Sequence, residues 1–527
     1  MLSFLSQPPA TPAASAPVAL GSAVVAPPPA AIRTPKRLDP APPPQSRGAS
    51  TVAPPHFAAS KPQRPSGPPA PPLRDPGPVA SPHIAVPAAP HSAAPVQQRA
   101  APAAVPAPQQ RPAPARLPAI SREERTVLRF LAEKVAEAAA SPRMQRTREL
   151  WRRHNRLEAG RAPVFCDPER GWQEIIRPSQ LQCRSELARA WEMHLRREVF
   201  WAYRMGDDKP VEPYFDVPYA VAAEDWGLAT RLHKTHEAGS YSWEGPLKNY
   251  ATDLKRLHAP HIQIDAETTQ AHLELARDTL GDLLCVRLRG KWWWSLGLTM
   301  RAAHLRGLER LFYDFVDHPD EVKELMSILS RGTLAKLDFL EANNLLGLNN
   351  EGSYVGSGGF GFTDELPGPD FSGRVRCKDL WGFADSQETA RVSPEMYAEF
   401  VFPFEKPILD RFGLSCYGCC EPLELRWDWV RRHHNLRRVS CSPWANLPKM
   451  AESLQDKYIL SLKPNPAALA TRQFDADAVR RGLREALAVT RGCVVEIIMK
   501  DNHTLANCPE NAVQWCRIAK EEASRVV

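Results

Sequence analysis

Short apolar runs alternate with amphipathic segments in the last third of the chain. The apolar runs end near Ser415, Val439, Leu462 and Met499, and after each one the apolar residues return at helical spacing. Each run and the segment after it take roughly 20–30 residues, which is typical of β-strands joined by crossover helices. The pattern therefore predicts a sheet of parallel strands.

The same periodicity predicts the individual elements. We predict helices over residues 122–156 (one or two), 179–203, 267–284, 302–315, 319–343, 393–411, 422–433, 447–454, 475–490 and 510–524. Strands are predicted over 284–288, 413–415, 436–439, 458–462 and 493–499, and a short buried element at 347–349. Ser393 suits a helix N-cap and Pro394 suits the first turn, so they mark one helix start clearly.

Residues 1–118 differ from the rest of the chain. The first 120 residues hold 32 of the 53 prolines, and all 14 tryptophans come later. Such a segment cannot bury enough apolar surface to offset the entropy of ordering it, which predicts a disordered Pro/Ala-rich tail. The tail could be a linker, a weak basic tether, or part of an over-long reading frame that truly starts near Ser121. Residues 119–527 then suit one large domain.

Charge and hydropathy argue against two classes of partner. The first 120 residues carry 10 Lys and Arg against 2 Asp and Glu, so the net charge of +7 comes from the tail. The nearly neutral body gives no charge argument for nucleic acid. We expect no membrane span, because no apolar run reaches ~18 residues, and no secretory signal at the N-terminus. The 11 cysteines all lie in the body and are odd in number, which favours a reducing cytoplasm.

Reactive and polar side chains follow four of the predicted strands. In a barrel of parallel strands, the residues just after each strand lie on the same face, so these clusters should converge on one pocket. This arrangement is typical of an enzyme. The four clusters cover residues 416–420 (Cys-Tyr-Gly-Cys-Cys), 440–442 (Ser-Cys-Ser), 463–465 (Lys-Pro-Asn) and 500–503 (Lys-Asp-Asn-His).

The cysteine cluster is the strongest chemical signal. Thiolates bind Zn²⁺ well, and a zinc ion held by thiolates can activate another thiol. Cys419 and Cys420 are candidate metal ligands, with Gly418 supplying the backbone freedom to turn both side chains inward. Cys441 is a candidate from the next strand, whereas Cys416 suits the core. Alternatively, these cysteines are small buried hydrophobic residues.

Two carboxylates and a histidine are the candidate catalytic residues. Glu496 lies within an apolar strand, where a carboxylate needs an ion-pair partner, a metal or a raised pKa. It is either a catalytic or metal-binding residue, or one half of a salt bridge with Lys463 or Lys500. His503 is a candidate ligand or general base, or a hydrogen-bonding residue near the last helix. Asp385 follows residues 381–384 on a predicted loop, where it could hold a substrate or a metal.

Several other features have less specific interpretations. The Gly-rich segment 356–361 is not followed by a helix, which excludes a nucleotide loop and leaves a mobile active-site loop or a plain surface loop. The run 291–294 (Lys-Trp-Trp-Trp) predicts a core or interface patch, with an apolar pocket as the alternative. Glu351 is a further candidate to hold a substrate or metal. His433 and His434 are predicted to lie on the surface.

From about residue 145 to 525, the chain resembles the uroporphyrinogen decarboxylase superfamily, which includes corrinoid-specific methyltransferases. The resemblance is carried by residues 392–401 (Val-Ser-Pro-Glu-Met-Tyr-Ala-Glu-Phe-Val), 456–466 and 509–511 (Pro-Glu-Asn). It implies a (β/α)8 TIM barrel with an N-terminal helical extension. Methyltransferases of this group bind zinc through His-x-Cys and a late Cys. Cys419 matches that pattern, Tyr417 stands where the His would be, and Glu496 or His503 is nearest to the late ligand.

The resemblance implies a zinc-dependent methyltransferase, with Cys419, Cys420 and Glu496 as the metal ligands. It would move a methyl group between a corrinoid protein, or a methylated small molecule, and a thiol acceptor. One alternative is a uroporphyrinogen decarboxylase, which would hold the substrate carboxylates with arginines. The other is a barrel that binds a corrinoid or porphyrin without catalysis. The candidate arginines for the decarboxylase are Arg287, Arg289, Arg374 and Arg376.

Overall fold

The computed structural model describes residues 119–234 and 241–525, so the predicted tail over residues 1–118 lies outside it. The helices are α1 (Arg122–Ala139), α2 (Pro142–Asn155), α3 (Trp172–Ile175), α4 (Glu186–Phe200), α5 (Tyr250–Asp253), α6 (Ala266–Leu280), α7 (Thr299–Arg306), α8 (Leu308–Asp317), α9 (Pro319–Ala342), α10 (Pro394–Phe400), α11 (Phe402–Leu409), α12 (Trp427–Val430), α13 (Leu447–Leu454), α14 (Ala476–Val489) and α15 (Glu510–Ala523).

The strands form one central sheet and three pairs. They are β1 (Val164–Cys166), β2 (Tyr214–Val217), β3 (Val221–Asp225), β4 (Arg231–Lys234), β5 (Tyr241–Glu244), β6 (His261–Ile264), β7 (Cys285–Leu288), β8 (Trp381–Ala384), β9 (Leu414–Tyr417), β10 (Leu436–Cys441), β11 (Ile459–Leu462) and β12 (Val494–Met499). The central sheet has the order β1-β12-β11-β10-β9-β8, and all of its strands are parallel. β2 and β7 form a parallel pair, whereas β3–β6 and β4–β5 are antiparallel. The prediction of a parallel sheet with crossover helices is confirmed.

The central sheet is strongly curved. Two strands, β10 and β11, separate β9 from β12, so in a flat sheet β9 and β12 would lie about 14 Å apart. Nevertheless, one short loop contacts both strands. A side chain at Gly356 would meet Cys416 of β9, and a side chain at Gly358 would meet Ile498 of β12. The two strands therefore face each other across a shared interior.

The segment 356–361 fills this interior, which corrects the expectation of a surface loop, whereas the mobile active-site loop stays a prediction. Residues 356–361 are all buried. Gly356, Gly358 and Gly359 have positive φ angles of 69°, 138° and 89°, which side chains other than glycine rarely adopt. A Cβ atom at Gly359 would lie 2.9 Å from both the Arg438 guanidinium and Glu496 Oε1. The glycines are therefore needed so that the backbone can pack against buried charges.

The N-terminal helices lead into the sheet, as the amphipathic pattern predicted. Ser121 caps α1 in a capping box with Glu124, and Ser141 caps α2. α2 ends at Asn155, whose side-chain amide donates to the backbone carbonyls of Phe360 and Phe362. The second helix thus holds the glycine-rich segment in place.

Several predicted elements differ in extent from the observed ones. The helix predicted over 302–315 is two helices, α7 and α8, because Gly307 at φ 92° breaks it. The helix predicted over 393–411 is interrupted at Val401, just before Pro403, and becomes α10 and α11. Only the four residues of α12 form where a helix was predicted over 422–433. The element predicted at 347–349 is irregular.

Candidate functional site

The structure brings together reactive side chains from three strand ends. Asp385 directly follows β8, Cys419 and Cys420 follow β9, and Lys500 follows β12. Parallel strands present their carboxyl ends on one face, and the curvature of the sheet carries Lys500 across to β9. We call these four residues the thiol cluster.

Cys419 is the centre of the thiol cluster. Its Sγ lies 3.6 Å from Cys420 Sγ and 3.8 Å from Lys500 Nζ, and the side chain is only 4 % exposed. The hydrogen bond from Cys420 and the charge of Lys500 lower the pKa of Cys419 in spite of burial, with help from the Ser357 hydroxyl. A cysteine with a lowered pKa carries more of the reactive thiolate. Cys419 therefore has the environment of a nucleophile.

The other thiol of the pair keeps its proton. The hydrogen bond to Cys419, burial and the negative charge of Cys419 raise the pKa of Cys420. Its Sγ also lies 3.7 Å from Asp501 Oδ2, which can accept the proton of the thiol. The surroundings of the pair thus favour the thiolate on Cys419 and the thiol on Cys420.

Lys500 supplies a fixed positive charge. Burial alone would lower the pKa of this lysine, but the acidic groups of Tyr354, Cys419 and Asp501 around it raise it. Nζ also lies 3.4 Å from Ser357 Oγ and 5.7 Å from the centre of the Trp294 ring. Lys500 is therefore an ammonium ion beside the thiolate at neutral pH.

Asp385 is an acid with one free oxygen. Its Oδ1 accepts a short hydrogen bond from Ser295 Oγ, whereas Oδ2 is buried and has no hydrogen-bond partner among the described residues. Burial and the charges of Glu421 and Glu388 raise the pKa of Asp385 well above its ordinary value. Burial therefore favours the protonated form of this acid. Two nearby groups whose pKa values are moved in opposite directions are typical of a nucleophile and an acid.

Further buried acids support this cluster, and the sequence pattern did not single them out. Glu421 accepts the backbone N–H groups of Ser386 and Cys419 at 2.8 and 2.9 Å, which fixes the ends of β8 and β9 to each other. Glu405 accepts from Tyr417 Oη at 2.8 Å, and burial raises its pKa to about 8. The sequence signal for Glu421 was its position directly after the predicted cysteine cluster.

Glu496 belongs to a separate set of buried side chains, which we call the ion network. Arg438 Nε donates to Glu496 Oε2 at 3.1 Å, His154 Nε2 lies 3.1 Å from the same oxygen, and Ser461 Oγ donates to Oε1. Burial opposes ionisation, but the charge of Arg438 and the contact with His154 lower the pKa of Glu496 to about 2. The expected salt bridge forms with Arg438, although Lys463 and Lys500 were the predicted partners.

Lys463 joins the ion network from β11. Its Nζ donates to Ser461 Oγ at 2.5 Å, and burial lowers its pKa to about 8. The charges of Glu496, Lys500 and Cys419 also affect the pKa of Lys463. It therefore lies between the two polar clusters.

The remaining predicted residues lie outside both clusters. His503 follows the turn at Asp501 and is exposed. Cys441 is buried and lines a different cavity, of about 450 Å³, beside α14. Cys416 is buried, as expected, with Sγ 3.6 Å from an Arg438 nitrogen. His433 is only 4 % exposed and stacks on Tyr417, which corrects its predicted surface position.

The predicted zinc ligands do not fit a zinc ion as they are arranged. Cys419 and Cys420 lie side by side, but both oxygens of Glu496 are occupied by the ion network. The Lys500 ammonium lies beside Cys419, so a zinc ion bound to this thiol would place a second positive charge next to the lysine. Among the residues that the structure describes, no three His, Cys, Asp or Glu side chains are grouped to hold a metal ion. The zinc site stays a prediction.

A cavity of about 380 Å³ has Trp294, whose ring lies 5.7 Å from Lys500 Nζ, in its wall, whereas the four residues of the thiol cluster do not line it. Such a volume suits a small-molecule ligand. The walls include Trp292, Trp293, Trp294 and Phe383, so the tryptophan run lines a pocket, which was the alternative prediction. Phe383 packs in the same hydrophobic cluster as Cys419.

The arginines that a decarboxylase would need are engaged by the protein itself. Arg287 and Arg289 both bind Glu351, and Arg287 also binds Asp216. Glu351 is therefore a structural partner of these arginines. Arg374 donates to the backbone carbonyl of residue 341, and Arg376 binds two aspartates, Asp370 and Asp379.

The described helices include none that is both long enough and apolar enough to cross a membrane. The fold and the site define an α/β protein with a pair of thiols, a lysine and a buried carboxyl group at the carboxyl ends of parallel strands. No protein-family model matches the chain, and no curated protein matches it. Among solved structures, it is similar to a methyltransferase from Methanosarcina mazei, with 11% sequence identity and a TM-score of 0.42. The likeness covers 70% of this chain and 96% of that chain, and it is too distant to assign a family or an activity.

Proposed function

We propose that this protein is a group-transfer enzyme of the methyltransferase type, in which Cys419 is the nucleophile. The observation that carries the proposal is the position of Cys419 Sγ, 3.8 Å from Lys500 Nζ and 3.6 Å from Cys420 Sγ. A buried thiol held between a cation and a hydrogen-bond donor is activated for attack. A purely structural cysteine has no need of either neighbour.

The proposed reaction begins with attack by the Cys419 thiolate on the methyl carbon of a donor. The S–C bond forms while the bond from the methyl carbon to its leaving group breaks. The leaving group departs with the electron pair and takes the proton of Asp385, whose free oxygen is available for this purpose. When a thiol acceptor removes the methyl group, Cys419 leaves as the thiolate that Lys500 and Cys420 stabilise.

The donor would be a methylated small molecule or a corrinoid protein. The cavity of about 380 Å³ favours the small molecule, because a corrinoid ring would have to remain outside it. The 11 free cysteines support a reducing compartment such as the cytoplasm.

We also infer that the eight parallel strands β1, β2 and β7–β12 are the strands of a TIM barrel. The first strand, β1, pairs in parallel with the last, β12, which is the closure that a barrel requires. The β2–β7 pair lies between β1 and β8 in chain order, where the second and third barrel strands belong. The carboxyl ends of the strands would then surround the thiol cluster.

Mass spectrometry of a single peptide tests the proposed nucleophile. Trypsin releases residues 412–426, which contain Cys416, Cys419 and Cys420. After incubation with methylcobalamin or with tetramethylammonium, we expect one added methyl group on Cys419. A Lys500→Met variant should react more slowly, because the thiolate loses its cation. Folded protein whose peptide takes up no methyl group from either donor would overturn the proposal.

Zinc is a separate question that elemental analysis answers. We expect well below one zinc per chain in the purified protein, because Lys500 and the ion network occupy the surroundings of the predicted ligands. One zinc per chain that is lost in Cys419→Ala would restore the zinc-dependent mechanism predicted from the sequence.

A further inference from the structure

The thiols of two adjacent residues, Cys419 and Cys420, face each other. Neighbouring residues of an extended strand point to opposite faces, but these two follow β9 after a turn at Gly418. Gly418 has a φ of 90°, and a Cβ atom there would lie 2.5 Å from Leu423 Cδ1. The turn therefore depends on glycine, and it leaves the two sulfur atoms 3.6 Å apart.

Opposite charges flank the two thiols. Lys500 Nζ lies 3.8 Å from Cys419 Sγ, and Asp501 Oδ2 lies 3.7 Å from Cys420 Sγ. A cation favours negative charge on Cys419, while the carboxylate can accept the proton of Cys420. Cys420 is only half-buried, so a small molecule can approach the pair from that side.

We propose that Cys419 and Cys420 form a redox-active dithiol, which a peroxide oxidises to a disulfide between adjacent residues. In the first step, the Cys419 thiolate attacks one oxygen of the peroxide, the O–O bond breaks, and the released oxygen takes up a proton. This step yields a sulfenic acid and water or an alcohol. In the second step, Cys420 attacks the sulfenic sulfur and gives its proton to Asp501, which passes it to the departing hydroxyl group, so that the hydroxyl group is released as water. A dithiol reductant returns both thiols and leaves as its own disulfide.

The disulfide would act as a reversible switch of the same site. It removes the thiolate that attacks the methyl carbon, so oxidised protein should accept no methyl group. This consequence rests on the proposed function, whereas formation of the disulfide does not.

The experiment uses the full chain and the tryptic peptide over residues 412–426. The protein is treated with hydrogen peroxide, its remaining thiols are blocked with iodoacetamide, and the peptide is sequenced by mass spectrometry. The expected peptide carries one alkyl group, on Cys416, and is two hydrogens lighter across Cys419 and Cys420. Treatment with dithiothreitol before blocking should restore three alkyl groups. Three alkyl groups after peroxide treatment, or a disulfide that includes Cys416, would overturn the proposal.

Two variants separate this chemistry from other cysteines. In Cys420→Ser, the sulfenic acid at Cys419 has no partner, so dimedone should label Cys419 in folded protein. Cys285→Ser removes an exposed thiol outside the cluster and should oxidise as the wild type does. Absence of dimedone labelling in Cys420→Ser would count against the mechanism. If the protein forms the disulfide normally but never accepts a methyl group, the proposed function is refuted, whereas the proposal of a redox-active dithiol still holds.

Discussion

Two buried polar clusters occupy the interior of the curved sheet, and they differ in how completely their charges are satisfied. In the ion network, Glu496 has a partner on each oxygen, supplied by Arg438, His154 and Ser461. In the thiol cluster, Asp385 has a buried oxygen without a hydrogen-bond partner among the described residues, and Cys420 and Lys500 lower the pKa of Cys419. The two clusters are therefore built for different purposes.

The difference separates structural charge from reactive charge. A buried ion pair with all its hydrogen bonds in place is stable and has nothing left to offer a substrate. A buried acid that has one oxygen without a hydrogen-bond partner, beside a nucleophile with a lowered pKa, can still form a hydrogen bond to a substrate. The sequence predicted both Glu496 and Asp385 as catalytic residues. Their hydrogen-bond partners in the structure distinguish them.

Removal of the nucleophile should have the largest effect on activity and little effect on stability. Cys419→Ala should abolish methyl uptake by the peptide over residues 412–426, because the attacking sulfur is gone. Its thermal unfolding temperature should change little, since alanine fills most of the same space. The matched control is Cys416→Ala, which removes a buried thiol from the same strand and should retain methyl uptake. Equal loss in both variants would show that the sheet, rather than the thiolate, had been damaged.

Asp385→Asn should slow transfer while it preserves the fold. An amide keeps the shape of the side chain but cannot give a proton to the leaving group, so the rate should fall by about 10²–10⁴-fold. The matched variant is Glu496→Gln, which changes the other buried carboxylate in the same way. Glu496→Gln should act mainly on the free energy of unfolding and much less on the transfer rate. Both quantities come from single-turnover methyl transfer and urea unfolding.

Loss of the ion pair should have the largest effect on stability. Arg438→Met leaves the Glu496 carboxylate buried without its cation, which should lower the free energy of unfolding by about 3–5 kcal/mol. The double variant Arg438→Met/Glu496→Gln removes both charges and should recover part of this loss. A double variant that is as unstable as Arg438→Met would mean that packing of the arginine, and not its charge, was responsible.

Sequence reasoning was most successful where each element could be recognised from its own residues. The runs that became β11 and β12 are mostly apolar, and the helices between β10, β11 and β12 have clear caps, so the pattern was sufficient even for β10, which contains Arg437 and Arg438. β1, β2 and β8 were missed, although β9 and β11 are about as short and were predicted; β8 also contains a glycine, which weakens a strand pattern. Convergence of Asp385 with Cys419 was not predicted, because Asp385 was placed on a loop and the strand before it was missed. The contact between Glu496 and His154 did not follow from the sequence either, because the two residues lie 342 positions apart in the chain.

The smallest predicted effect is a pH dependence in which the two kinds of buried acid act in opposite directions. The folded-state pKa of Glu496 is about 2, below its ordinary 4.5, so its contribution is present above pH 4.5 and is lost as the pH falls toward 2. The folded-state pKa of Glu405 is about 8, so its contribution is complete below pH 4.5 and is lost as the pH rises toward 8.

Urea unfolding between pH 4 and pH 9 measures this dependence. In Glu405→Gln, stability should decline less between pH 5 and pH 8 than it does in the wild type, because an amide does not ionise. Glu510→Gln is a suitable control, since Glu510 is an exposed acid in the first turn of α15. An unchanged slope in Glu405→Gln would show that Glu405 ionises in the folded protein at its ordinary pH, and that the acids beneath the thiol cluster are not held protonated by burial.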